Sequence, residues 1–166
     1  TLIALGDALG DPEERVESYA AAADLYATRF ANQAEAARAY EKVLELNPVE
    51  PRAIAYLREA YEKRRDWEKL IALMMREAEG LHEGPERAQK YKQVALLATE
   101  KVKKPEVCID LWAVVLANDA EDVDALNALA GLYERAREYE KLADVLSKLA
   151  ELTYDTGQKI ELFNKL

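Results

Sequence analysis

Shifted by 72 positions, this sequence lies on itself without a gap. Glu14-Arg15 falls on Glu86-Arg87, Tyr19 on Tyr91, Ala23 on Ala95 and Leu25 on Leu97. Tyr40 falls on Trp112, Val43-Leu44 on Val115-Leu116, Ala53 on Ala125, Leu57 on Leu129 and Tyr61-Glu62 on Tyr133-Glu134. Trp67-Glu68-Lys69-Leu70 then meets Tyr139-Glu140-Lys141-Leu142. The matched residues are mostly apolar or aromatic and recur at helical spacing, which marks one core pattern used twice. Nothing constrains the fold of this chain more strongly.

Cap and breaker residues divide each block into four helices. Asp11 is placed to cap a first helix over 12–30, with Pro12 at its first position and Glu14 completing a capping-box-like pattern. A second helix is predicted over 34–46, stopping before Asn47-Pro48 because the residue before proline disfavours helical geometry. A third opens at Pro51 and runs to 63, and Asp66 caps a fourth over 67–79, ending near Gly80. In the second block Pro85, Pro105, Asp122 and Glu138 stand at the corresponding starts. The connections are a few residues long, so successive helices must run antiparallel. The expected organisation is 1–10 as the end of a preceding repeat helix, blocks at 11–82 and 83–154, and 155–166 as the first helix of a further repeat. In the same register Thr1 to Gly10 lies over Leu73 to His82, while Lys159 and Phe163 lie over Arg87 and Tyr91. Neither end carries the polar cap an array needs. The chain is therefore expected to be a piece of a longer array, and its open ends predict end-to-end self-association.

The residues resemble the tetratricopeptide repeat, a helix-turn-helix unit of about 34 residues with aromatic, small and leucine residues at set places. The first unit offers Tyr19, Ala22-Ala23 and Tyr26, then Ala36, Tyr40 and Val43, followed by Pro48. The second offers Ile54, Leu57, Tyr61, Trp67 and Leu70, and the third Tyr91, Val94-Ala95, Cys108, Trp112 and Val115. The fourth offers Leu126, Leu129-Ala130, Tyr133, Tyr139 and Leu142. Leu70 and Leu142 stand where the family usually has alanine, Glu77 is charged where a small residue is expected, and the even units lack a closing proline. These departures describe a variant with a two-unit repeat. The resemblance implies an all-α, right-handed α-solenoid of antiparallel helix pairs, a superhelix whose first helices line a concave, peptide-binding groove. It places Glu17, Ala20, Asp24, Arg52, Ala55, Glu59 and Glu62 on the groove wall from the first block. From the second block it places Gln89, Lys92, Asp124, Asn127, Gly131 and Glu134 there. Several of these differ between blocks while the core repeats: Ala20 against Lys92, Arg52 against Asp124, Ala55 against Asn127, Glu59 against Gly131. Positions released from packing can specialise for a ligand or drift.

Charge narrows the partner. The net charge of -9 at pH 7 opposes general nucleic-acid and anionic-membrane binding, both of which need Lys and Arg. A protein or peptide partner, basic or neutral, is expected. Half of the residues are hydrophobic and a third charged, enough to bury a core, yet no apolar run approaches a membrane span of roughly 18 residues. A soluble protein is expected, the cytoplasm favoured and the compartment otherwise open. The opening Thr1-Leu2-Ile3-Ala4 carries no charge and no cleavage context, so no signal peptide is expected from it.

Catalysis has no candidate. Cys108 takes the place of Ala36, where only a small side chain fits between two helices, and no histidine stands near it in sequence to activate it. His82 falls in the linker His82-Glu83-Gly84-Pro85. The Gly6–Gly10 spacing imitates a membrane-dimer motif, which Asp7 and Asp11 rule out. The aromatics could stack on bases, but they recur on apolar faces and read as packing. No cofactor, metal or enzymatic activity is expected. A protein-interaction scaffold fits these residues best; a structural spacer without a groove ligand, or a ligand-sensing regulatory module of a larger protein, are the alternatives.

Overall fold

The computed structural model describes residues 2–153, and every regular element among them is helical. The helix expected over 155–166 lies outside the described residues. Two compact units divide the chain, Thr1–Gly80 and Leu81–Leu166. The first holds α1 (Leu2–Asp7), α2 (Pro12–Thr28), α3 (Gln33–Leu46), α4 (Pro51–Arg64) and α5 (Trp67–Glu79). The second holds α6 (Pro85–Leu97), which continues into one π-helical turn at Ala98–Val102, then α7 (Pro105–Asn118), α8 (Val123–Ala136) and α9 (Tyr139–Leu152). Within each unit every helix packs on the next, and the short connections make neighbours antiparallel. Each unit is thus a stack of helix hairpins.

The starts follow from local chemistry. The Asp11 carboxylate accepts the Glu13 amide at 2.8 Å, and Asn32 accepts the Glu35 amide at 3.2 Å. Asp66 and Asp122 accept the amides of Lys69 and Ala125. These side chains satisfy donors that have no partner inside their helices. Pro12, Pro51, Pro85 and Pro105 sit at first-turn positions, where the missing N–H costs nothing. Helix α2 ends at Thr28, two residues before the expected end, because the amides of Arg29 and Phe30 both turn back to the Leu25 carbonyl.

Residues that the sequence overlay pairs adopt the same backbone. Ala31 and Lys103 have φ of 48° and 56°, and Arg65 and Arg137 have φ of 56° and 59°. The ends of α4 and α8 are Schellman turns. The Asp66 and Glu138 amides reach the Tyr61 and Tyr133 carbonyls at 2.9 and 3.0 Å, and the Arg65 and Arg137 amides reach Glu62 and Glu134. A left-handed conformation costs an ordinary residue roughly 1–2 kcal/mol, and both arginines are exposed. Arg65→Gly and Arg137→Gly are therefore each expected to raise stability by about 0.5–1 kcal/mol, after the entropy glycine adds to the unfolded chain. Urea midpoints check this; a fall in either would show that the side chain, not the backbone, decides there.

The core runs between the helices of each hairpin. In the first unit Tyr19, Ala23, Ala36, Tyr40, Val43, Ala53 and Leu57 are buried, and in the second Tyr91, Ala95, Cys108, Trp112, Val115, Ala125 and Leu129 hold the overlaid places. Alanine and cysteine let the helix backbones approach, and the aromatics fill the space beside them. No polar or charged residue is buried among the described residues. A cation lies over the tyrosine face at matching places: Arg15 on Tyr19 and Arg87 on Tyr91, Lys69 on Tyr61 and Lys141 on Tyr133. Tyr139 departs from the packing role expected of it, since 66% of its surface stays exposed at the start of α9.

Candidate functional site

In the first unit the expected wall residues sit on α2 and α4. Asp24 accepts the Tyr40 hydroxyl at 2.6 Å and Arg52 at 2.5 Å, joining α2 to both α3 and α4. Those two donors hold its carboxyl below the usual carboxylate range, the tyrosine contributing most. Burial, helped by the Asp24 charge, pushes the Tyr40 hydroxyl up to about 12. Glu59 is tied to Lys63 one turn on, at 2.5 Å. Glu17 and Glu62 are exposed, and their side chains have no partner among the described residues.

In the second unit Lys92 on α6 reaches Asp122 at 2.8 Å and Asp124 at 2.6 Å at the start of α8. The hydrogen bond to Asp122, followed by that to Asp124, raises the pKa of the Lys92 ammonium. Polarity is therefore exchanged between the units. The first carries the acid on α2 and the base on α4, while the second carries the base on α6 and the acids at the start of α8. Arg52 against Asp124 differs between blocks because Ala20 against Lys92 and Asp24 against Leu96 differ with it. The divergence at these positions maintains a link between helices. Gln89, Asn127 and Glu134 remain exposed, with no side-chain partner among the described residues.

Two clefts take in members of this wall. Glu17 borders one of about 400 Å³ with Pro12, Glu13, Val16, Leu46 and Asn47. Asn127, Gly131 and Glu134 line another, of about 440 Å³, together with Ala130 of α8 and Leu142, Leu146 and Leu149 of α9. The α9 leucines were not expected in a site. The overlay carries the signal that would have found them, since Arg58 and Glu77 of the first block become Ala130 and Leu149. A third hollow, of about 300 Å³ between α3 and α5, is spanned by its own polar groups: Glu41 accepts from Tyr61 and Lys69 at 2.7 and 2.8 Å. Among the described residues no cluster of His, Cys, Asp and Glu could hold a metal ion, and no helix is long and apolar enough to cross a membrane.

The described helices define a class, a paired-helix repeat protein whose hairpins resemble the tetratricopeptide unit. No family model matches the chain, and no curated protein matches it. Similar solved structures include one described as the functional characterization of Pseudomonas aeruginosa pilF, at 17% identity and a TM-score of 0.47, covering 97% of this chain and 79% of that one. The MamA protein is similar at 17% identity and a TM-score of 0.44, over 95% and 89% of the two chains. YrrB, titled a TPR protein with an unusual peptide-binding site, is similar at 17% identity and a TM-score of 0.45, over 99% and 82%.

Proposed function

We propose that this chain is a protein-interaction scaffold, not an enzyme, and that the first helices of its hairpins hold peptide segments of basic or neutral character. One observation carries the reading. Once the internal ion pairs are formed, the wall residues left exposed and unpaired among the described residues are Glu17 and Glu62 in one unit and Gln89, Asn127 and Glu134 in the other. All are acidic or neutral, on a chain of net charge -9. Complementary charge sets partner choice and encounter rate more than raw affinity. An acidic peptide is therefore disfavoured, and a basic or uncharged one accepted.

A peptide array read with the full chain at low and moderate salt tests this. Lys-containing and uncharged peptides are expected to be retained and Glu-rich ones rejected. Glu62→Lys together with Glu134→Lys is expected to abolish the basic binders, most visibly at low salt, where exposed charges are least screened. Retention of acidic peptides would overturn the charge reading, and retention of nothing would favour a spacer.

A further inference from the structure

We propose that the cleft between α8 and α9 is the anchor site of that partner, receiving one large aliphatic or aromatic side chain that has a Lys or Arg within two positions of it. The proposal rests on the scaffold reading and adds which part of the surface grips, and what it grips. The two units, compared residue by residue, supply the case. In the first, Arg58 and Glu77 form an ion pair of 2.5 Å across α4 and α5, with only 34% and 18% of their side chains exposed. Glu59 stands beside Arg58, and Leu70 below is 2% exposed. In the second unit the same places hold Ala130, Leu149, Gly131 and Leu142. The ion pair is gone, the next side chain is absent, and Leu142 is partly uncovered. What remains is the open cleft of about 440 Å³, within the range of pockets that take ligand groups.

Gly131 is the telling residue. It lies inside a 14-residue helix, where glycine is about 1 kcal/mol worse than alanine. Two ordinary reasons for such a glycine fail here. Its backbone is not among the positive-φ positions, and a Cβ built on it would meet nothing within 4 Å among the described residues. Gly6 shows the contrast: there a Cβ would lie 2.5 Å from the Tyr19 ring. Gly131 thus gives up helix stability for space that no side chain of the described residues uses.

The occupant follows from what borders that space. Leu146 and Leu149, each 4% exposed, floor it, and the partly uncovered Leu142 beside Ala130 gives an entering apolar group a surface to cover. Asn127 and Glu134 lie four and three residues from Gly131, on the same helix face. The Asn127 amide can both donate to and accept from a peptide backbone. The Glu134 carboxylate, unpaired among the described residues, favours a cation beside the apolar group. From Gly131, where the apolar group enters, to Glu134 the helix rises roughly 4.5 Å, within the reach of about two extended residues, which sets the spacing of apolar and basic groups.

The test uses the full chain and labelled peptides with a central Leu or Phe and a Lys two positions on, beside versions with Ala at the centre or norleucine in place of Lys. Gly131→Leu fills the cleft while improving helix propensity. It is expected to weaken the Leu and Phe peptides roughly tenfold or more, with an unfolding midpoint equal to or above the parent's. Glu134→Gln is expected to weaken the Lys peptides and leave the norleucine versions unchanged. Peptides that bind the parent and ignore Gly131→Leu would overturn the anchor site while leaving the scaffold reading in place. A parent that binds none of these peptides, nor any on the array, would overturn both. Self-association that disappears in Gly131→Leu would assign the cleft to a second copy of this chain and overturn the peptide proposal.

Discussion

Replacing Trp112 with alanine is expected to lower the free energy of unfolding by about 3–5 kcal/mol, among the largest effects of any single change here. The indole is 2% exposed, so truncation removes its apolar contacts and leaves a void that close-packed neighbours only partly fill. It also holds the end of α6. Its Nε1 donates to the Thr99 hydroxyl at 3.0 Å, and that hydroxyl donates to the Ala95 carbonyl at 2.8 Å, across the junction with the π-helical turn. Trp112→Phe separates the two contributions. It keeps most of the apolar volume and loses the hydrogen bond, so its cost should be nearer 1–2 kcal/mol, by order of magnitude. Urea unfolding followed by far-UV circular dichroism reads both variants. Equal costs for Ala and Phe would place the stabilisation in the hydrogen bond instead of the packing.

Leu57→Ala and Leu129→Ala should each cost about 2–5 kcal/mol, and by similar amounts. Leu57 is 1% exposed in α4 and Leu129 is 2% exposed in α8. The sequence overlay pairs them, and each lies on a helix that packs against the one before it and the one after it. Where two sites share chemistry and burial, the cost of truncation varies with how far the surroundings can collapse. Similar costs would mean that the two cores are equivalent in rigidity as well as in composition. A difference above about 2 kcal/mol would show that the open α8–α9 cleft lets the second unit relax around the lost methyls. The same urea titrations report the comparison directly.

Helix identity and most helix starts were legible in the sequence because their causes are local. Asp11, Asp66 and Asp122 cap from a few residues away, and Pro51, Pro85 and Pro105 fix the first turn by their own geometry. Core positions were legible because Tyr19, Leu57 and Trp112 each have a counterpart in the other block, and a shared apolar face survives divergence. The π-helical turn was not legible. It closes where the Ala98 carbonyl takes an amide five residues on, at Lys103, and no residue type announces that choice. The wall residues were legible as exposed and variable, but not in their pairing. Asp24 with Arg52, and Lys92 with Asp122, join positions 28 and 30 residues apart, a separation that no single-helix period produces. The cleft was legible only as a loss, Arg58 and Glu77 giving way to Ala130 and Leu149, because the ion pair that fills the first unit's place joins residues 19 apart.

The joint between α4 and α5 bears on how such a chain can change length. Asp66 serves two helices at once: its amide closes the end of α4 on Tyr61, and its carboxylate caps the start of α5 on Lys69. Only Arg65 stands between it and the preceding helix. An inserted residue would open both closures together and rotate α5 by about 100° against the core, one residue's share of a helical turn. In the wider turns at Asn47–Glu50 and Asp119–Asp122 the closing amide, of Asn47 or Asp119, and the residue that starts the next helix are different residues, so an insertion there is expected to disturb fewer closures. The joint at Asp66 pins two helices through one residue, a duty its counterpart Glu138 performs only with its amide, and the opposite edge of the hairpins is where added loop length would cost least.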